Sequence, residues 1–286
     1  MNPSGTTRLT CLLGSPVSHS ISPAMHNTAF DALGLDYTYM VFDVSEENIK
    51  TAVDGLRLFN CRGFNLTMPL KTAVIPYLDE MSEAARLSHS VNTCVIEDGK
   101  LIGHTTDGIG FLQAMIDSGI EYKEKVLTVL GAGGAATSII VQAAIDGVSK
   151  INIFKRKNAS FDKVVDFADR ITRATDCDVF VFDIADMTTL EFCLQESDIL
   201  INATNVGMGD DDSSLIPPEF LYKELIVTDV IYHPAYTRLL QDAQKVGCKV
   251  MNGKYMLLYQ GAAAFKLWTQ KDMPIDLIKE KCFAEE

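Results

Sequence analysis

The chain runs to 286 residues, too long for one small core and long enough for two domains. It is 47% hydrophobic and 22% charged, and its 38 acidic against 25 basic residues give a formal net charge of -13. Phosphate backbones are bound chiefly through Lys and Arg, so this charge speaks against a nucleic-acid partner; no apolar run approaches the roughly 20 residues of a membrane span.

The seven cysteines (Cys11, Cys61, Cys94, Cys177, Cys193, Cys248 and Cys282) are scattered with no C-x-x-C pair, which reads as reduced, packed thiols in a cytoplasmic protein. Met1 to Arg8 lacks the apolar core of a signal peptide and reads as a loose tail. Leu9 to Leu13 predicts a strand, Ser15 to Ile21 a polar loop, and Pro23 the start of a helix to Leu33. Tyr37 to Val44 predicts a second strand, with Ser45 as N-cap of a helix over Glu46 to Leu58. Gly63 to Leu66 is a short strand, Thr67 to Lys71 a loop opening a helix through Leu78, and Ser82 to Leu87 another helix. Thr93–Glu97 and Leu101–His104 form a hairpin about Asp98-Gly99, the dipeptide that tight two-residue turns prefer. Asp107 then caps a helix to about Ser118.

After Gly119 the pattern becomes strictly alternating. Strands fit Val126–Leu130, Ile151–Phe154, Val179–Phe182, Ile199–Asn202 and Ile226–Val230, and helices fit Ala135–Asp146, Phe161–Ala174, Met187–Gln195 and Thr237–Val246. Such alternation predicts an α/β fold with a doubly wound parallel sheet covered on both faces. Lys249–Met251 adds a short strand, Met256–Trp268 a buried helix and Ile275–Phe283 an amphipathic one. The division expected is a Rossmann-type dinucleotide domain over 106–252 and a discontinuous α/β substrate domain over 1–105 plus 253–286, with the active site in the cleft between them.

The first turn of the alternating region, Gly131-Ala132-Gly133-Gly134-Ala135-Ala136, has the form G-x-G-x-x-A between strand and helix. Gly131 allows the tight turn, Gly133 lets the backbone approach a pyrophosphate, and a small residue at 136 lets helix and strand pack. The helix N-terminus supplies free N–H groups to the phosphates. A ligand-free glycine corner is the bland alternative. At the end of the next strand, where NAD-specific folds place an acid, stand Lys155-Arg156-Lys157-Asn158. Three cations there suit a 2′-phosphate, and Arg156 can grip it with its planar fork, so NADP is expected to serve at least as well as NAD. A solvated basic turn is the bland alternative.

Three polar clusters follow strands in the first domain. Ser18-His19-Ser20-Ile21-Ser22-Pro23 offers hydroxyls and N–H groups suited to a carboxylate, or is an ordinary helix entry. Lys71 sits at a helix start, where a cation is disfavoured, and this misplacement hints at a role, with a solvent-exposed lysine as the commoner alternative. Asp107 in Thr105-Thr106-Asp107-Gly108 is either a cap or a carboxylate able to orient such a lysine. Lysine and aspartate near a nicotinamide suffice for carbonyl reduction: hydride goes to carbon, an ammonium protonates oxygen, and the carboxylate holds the ammonium's charge. Neither a Y-x-x-x-K element nor Cys/His metal-ligand spacing offers another route, and no metal is expected.

Taken in order, these pieces resemble the shikimate dehydrogenase family, including the quinate/shikimate dehydrogenases. They are 14–23, 65–71, Val91-Asn92-Thr93, Thr106-Asp107-Gly108, 131–135, Asn202-Ala203-Thr204 with Gly207-Met208, 229–234 and Gln260-Gly261-Ala262. The resemblance implies interconversion of 3-dehydroshikimate and shikimate with NAD(P)H, in aromatic amino-acid (chorismate) biosynthesis. It implies Ser20 and Ser22 on the substrate carboxylate, Thr67, Lys71, Asn92, Asp107 and Gln260 on the ring hydroxyls, and Tyr39 and Tyr232 at the pocket. Lys71 is implied as acid/base with Asp107 beside it. For the cofactor it implies Gly131, Ala132, Gly133, Gly134, Ala135, Lys155, Arg156, Lys157, Thr204, Met208, Val230, Gly253 and Met256. Three positions at two places depart from the family's pattern: His89-Ser90 where it usually has Gly-Ala, and Tyr255 where it commonly has a glycine. A quinate-preferring catabolic relative and a nucleotide-binding protein without turnover stand as alternatives, and a homodimer is kept open.

Overall fold

A computed structural model describes residues 3–284. The chain divides into two compact units, Met1–Thr106 with Leu258–Glu286, and Asp107–Leu257. The elements run β1 (Arg8–Gly14), α1 (Ser22–Ala32), β2 (Tyr37–Asp43), α2 (Ile49–Leu58), β3 (Gly63–Leu66), α3 (Leu70–Ala73), β4 (Glu80–Met81), α4 (Glu83–Ser88), β5 (Thr93–Glu97) and β6 (Lys100–His104). There follow α5 (Asp107–Asp117), β7 (Val126–Leu130), α6 (Gly134–Ile145), β8 (Lys150–Lys155), α7 (Phe161–Ala174), β9 (Asp178–Asp183), α8 (Met187–Gln195) and β10 (Ile199–Asn202). The series closes with β11 (Ile226–Asp229), α9 (Arg238–Val246), β12 (Lys249–Met251), α10 (Lys254–Thr269) and α11 (Ile275–Cys282).

In the first unit the sheet order is β2-β1-β3-β5-β6-β4. β1 pairs in parallel with β2 and β3, whereas the β5–β6 hairpin is antiparallel and joins the sheet through β3. The Asp98-Gly99 turn has positive φ at both residues, 49° and 77°, as a two-residue hairpin turn requires. One face of the sheet packs on α2 and α4 through Cys11, Leu13, Val53, Phe64 and Ala85. The other carries Tyr39, with His26 of α1 stacked on it at 4.4 Å and Trp268 of α10 at 6.0 Å. Gly63 has no Cβ to obstruct the Trp268 indole, whose Nε1 donates to the Cys94 carbonyl at 3.0 Å. α10 thus returns a buried face to a sheet built more than 160 residues earlier in the chain, as the Asn92–Gln260 separation of 168 residues illustrates.

The second unit carries an all-parallel sheet of order β9-β8-β7-β10-β11-β12. In chain order this is 3-2-1-4-5-6, the doubly wound Rossmann arrangement, with its direction switch between β7 and β10. The α/β fold with parallel sheets expected from the alternation is the fold observed. Fully buried Leu127, Val129, Leu130, Ile151, Ile153, Ile199, Leu200 and Ile201 supply its centre, as strands covered on both faces require. Leu130, Phe154, Leu200 and Val227 pack against α8 and α9.

Local readings are corrected in four places. Ser45 makes no side-chain cap; its Oγ accepts from Asn48 Nδ2 while Glu46–Asn48 forms a 3-10 turn before α2. The helix expected to run through Leu78 stops after Ala73, and Ile75–Tyr77, containing Pro76, is a separate 3-10 turn. A proline has no N–H for a continuing helix and clashes with its preceding turn. Asp107 is the first residue of α5 rather than a residue preceding it. The two-residue strand β4, joined in parallel to β6, falls between the helices expected through Leu78 and from Ser82, where no strand was expected.

Candidate functional site

In the second unit, the turn after β7 and the loop after β10 meet at the switch point. Gly131 has φ +100°, and a Cβ there would lie 2.8 Å from the Ala203 carbonyl oxygen and 3.0 Å from Thr204 Cγ2. Only glycine fits such a position without strain. Gly133 forms the N-cap of α6 with no side-chain cap, so the helix's first N–H groups point out uncovered by a side chain. Nothing lies within 4 Å of a Cβ built on Gly133 or Gly134. On the protein side the cradle is open exactly where a phosphate would approach, so the residues present fit a dinucleotide.

A cavity of about 580 Å³ opens beside this turn, lined by Gly131, Ala132, Gly133, Phe154, Lys155, Arg156, Asn158, Ser160, Ile184, the 203–206 loop, Asp211 and Leu215. Lys155 is drawn into its own turn: Nζ donates to Asn158 Oδ1 at 3.0 Å, Ser160 Oγ at 3.1 Å and the Arg156 carbonyl at 3.2 Å. Asn158 Oδ1 also accepts from Ser160 N and Oγ. Arg156 is exposed at the cavity wall, whereas Lys157 is exposed outside it and lies 6.0 Å from the Phe161 ring. Of the expected cofactor residues, Gly131, Ala132, Gly133, Lys155, Arg156 and Thr204 line the cavity. Gly134, Ala135, Lys157, Met208, Val230, Gly253 and Met256 are not among the residues lining it. Gly253 instead packs its α-carbon against the Val230 backbone, and its N–H donates to the Ile231 carbonyl at 2.9 Å. Tyr232 is exposed.

In the first unit, strand direction gathers the polar loops. β1 and β3 are parallel, so the segments 15–21 and 67–69 leave the same sheet edge; the two touch where Ser15 N donates to the Met68 carbonyl at 3.0 Å. β5 begins, and β6 ends, at that edge because both pairings there are antiparallel. Asn92 and Thr106 are therefore neighbours of these loops. Asn92 is buried: Oδ1 accepts from Thr106 N at 2.7 Å and Nδ2 donates to Thr106 Oγ1 at 3.0 Å and Gln260 Oε1 at 3.4 Å. Lys71 is half-buried on α3, its carbonyl accepting from Val91 N at 2.9 Å. Thr67, Ser20 and Ser22 are half-buried, with Ser20 Oγ accepting from Ser22 N at 3.3 Å. Tyr39 is core: its ring lies under His26, and its hydroxyl donates to Asn65 Oδ1 at 2.8 Å and bonds Ser22. Burial holds the phenol well above its ordinary pKa. Asp107 is buried at the opening of α5, at the start of the second unit.

Comparison with known proteins decides the family. Residues 12–94 match the shikimate dehydrogenase substrate-binding domain and residues 255–283 the shikimate 5'-dehydrogenase C-terminal domain. A shikimate dehydrogenase (NADP(+)) of Listeria monocytogenes is 47% identical over 281 residues, 98% of this chain and 97% of the relative. The chain belongs to the shikimate dehydrogenase family. A crystal structure of the shikimate 5-dehydrogenase of Listeria monocytogenes in complex with shikimate and NAD superposes with a TM-score of 0.95 at 46% identity, covering 98% of both chains. A quinate dehydrogenase from Corynebacterium glutamicum in complex with NAD is 30% identical with a TM-score of 0.85, covering 96% of this chain and 98% of its own.

The family's two departures acquire a physical reading. His89 ends α4 with φ 50° and ψ 40°, the left-handed cap that glycine ordinarily takes, and its side chain is exposed. Ser90 is buried, its carbonyl accepting from Ser88 Oγ. Tyr255 is half-buried in the first turn of α10. Ser160 and Asn205 line the cavity without having been expected there; Asn65 and Asp229 lay within the stretches 65–71 and 229–234 but were given no role of their own. For Asp229 a signal existed, an acid closing the apolar run Ile226-Val227-Thr228.

Proposed function

We propose that this chain catalyses the reversible reduction of 3-dehydroshikimate to shikimate with NAD(P)H, in aromatic amino-acid biosynthesis. The observation that carries the reading is near-complete coverage, at 47% identity, of a relative named for that reaction and for NADP(+). The bound dinucleotide supplies or accepts a hydride. Gly131, Gly133 and the α6 N-terminus would hold its pyrophosphate, and Arg156 its 2′-phosphate from a turn stiffened by Lys155. The discontinuous division into a substrate domain and a dinucleotide domain belongs to the same reading.

In the reducing direction the substrate's carbonyl oxygen gains charge and must take a proton. The Lys71 ammonium donates it, and in reverse the amine accepts it. Asp107 holds the ammonium's charge and orientation; Ser20 and Ser22 hold the carboxylate, and Thr67, Asn92 and Gln260 the ring hydroxyls. Asn92 is itself pinned by Thr106 and Gln260, so it presents a fixed amide rather than a searching one. Tyr232, Met208, Val230, Gly253 and Met256 complete the proposed contacts.

A panel of shikimate, quinate and close analogues with NADP and NAD, following the absorbance of reduced nicotinamide, tests the reading. The expected result is turnover of shikimate with NADP at least as good as with NAD. Preference for quinate would favour the catabolic alternative, and a hundredfold preference for NAD would overturn the cofactor assignment. The proposed setting is the cytoplasm, and no described helix is long and apolar enough to cross a membrane. A homodimer is the oligomer to be tested by light scattering.

A further inference from the structure

At the C-terminal ends of β10 and β11 a carboxylate is enclosed in the second unit. Asp229 is fully buried beside Asn202, its register partner. Asp229 Oδ2 accepts from Asn202 Nδ2 at 3.0 Å and Thr237 Oγ1 at 2.8 Å, and Oδ1 accepts from Ile231 N at 2.9 Å. Burial pushes its pKa up to about 6, so the carboxylate is costly, yet its donors come from three separate segments. Two of these donors, Asn202 and Thr237, have a second task. Asn202 Nδ2 also donates to the Val206 carbonyl at 3.2 Å, and Asn202 Oδ1 accepts from Thr204 N at 3.2 Å and Thr204 Oγ1 at 2.7 Å. Thr237 caps α9 by accepting from Leu240 N, and Gly207, at φ +94°, sits against its Cβ.

The 203–206 loop is thereby fixed at both ends, and it is the wall of the dinucleotide cavity that abuts Gly131. We infer that Asp229 is a positioning residue for the dinucleotide: through Asn202 and Thr237 it sets the 203–207 loop opposite the glycine turn. The inference rests on the proposed dinucleotide-dependent reading but adds a residue that touches no ligand. A carboxylate suits the place because it accepts without donating; an amide would turn an NH2 toward either the Asn202 amide or the Thr237 hydroxyl.

The test is direct NADP binding by titration calorimetry to the full chain, with thermal melting beside it. Asp229→Asn is expected to weaken NADP at least tenfold while the folded protein melts no lower than wild type, because a buried charge has been removed. Thr237→Val should weaken NADP severalfold and Thr237→Ser should restore it. A folded Asp229→Asn protein binding NADP within threefold of wild type would overturn the inference. If that variant does not fold, Thr237→Val binding as tightly as Thr237→Ser overturns it. Failure of the wild type to turn over shikimate would sink the reaction reading and leave this binding comparison to be decided on its own.

Discussion

Lys71 and His26 show how differently two residues of one unit declare themselves. Lys71 draws notice because a cation at a helix start is electrostatically misplaced, and it stands as the second residue of the four-residue α3. Lys71→Ala is expected to depress turnover by 10²-fold or more, on the order of a lost general acid, while NADP affinity stays within a few-fold; near wild-type turnover would remove Lys71 from the chemistry. Nothing in the sequence singles out His26 or shows that neither ring nitrogen finds a hydrogen-bond partner among the described residues. Its environment is assembled by Tyr39 and by Phe265 and Trp268 of α10, remote in sequence. Burial drops its pKa from 6.5 to about 3. A folded pKa lying below the unfolded one means stability that is present above pH 6.5 and lost as pH falls toward 3. At pH 4.5 the loss is about 2–3 kcal/mol at 1.36 kcal/mol per unit. Asp229 has the opposite sign: its raised pKa favours the folded state below about 3.8 and that contribution is lost as pH rises through about 6. The two are separable because the one tryptophan, Trp268, lies 5.2 Å from the His26 ring. Urea unfolding followed by tryptophan emission at pH 7.5 and 4.5 should show His26→Leu losing most of the acid sensitivity of the first unit; an unchanged difference between the two pH values would show that the imidazole is not its source.

Elements were legible where one local rule acted alone. The alternating strands and helices after Gly119, and the Asp98-Gly99 hairpin, follow from periodicity and turn chemistry without help from the rest of the chain. Legibility failed where local rules competed. Ser45 is a good cap residue, but Asn48 takes its hydroxyl, and Pro76 divides what apolar spacing would have run together. Close backbone approach was legible only as glycine: Gly108 lets α5 press on the Ser138 carbonyl of α6, and Gly253 lets the turn after β12 press on Val230. The strand-turn-helix element β7–α6 allows two functions of its glycines to be separated. Gly131→Ala forces a left-handed φ and meets the Ala203 carbonyl, so about 1–3 kcal/mol of strain should appear as a lower melting temperature without ligand, together with weaker NADP binding. Gly133→Ala meets nothing within 4 Å, so the ligand-free melting temperature should stay within about 2 °C of wild type. NADP affinity should nevertheless fall at least tenfold, because the added methyl occupies the space of the phosphate. Equal affinity in wild type and Gly133→Ala would mean that the pyrophosphate does not lie on this turn.

At the scale of the whole molecule the chain leaves its first unit after Thr106 and comes back within α10, at Leu258. The sequence suggested this return only through the apolar run 256–268; which sheet it would cover depends on contacts more than a hundred and sixty residues away, as in the Asn92–Gln260 bond spanning 168 positions. The returning segment is a structural part of that unit. Trp268 and Phe265 are fully buried there, and Arg62 is held by the Trp268 carbonyl at 2.9 Å. Burying two large aromatics is worth roughly 3–6 kcal/mol by transfer, comparable with the entire net stability of a small domain. The second unit, 107–257, has a sheet whose six strands all lie within its own contiguous segment. Truncation after Leu257 should therefore affect the two sheets unequally. Hydrogen exchange read by mass spectrometry is expected to show protection lost across β1–β6 and retained across β7–β12, with NADP adding protection around Gly131–Gly133 in the truncated chain as in the full one. Protection surviving in β1–β3 after truncation would show that α10 and α11 are ornament to the first sheet rather than its missing layer.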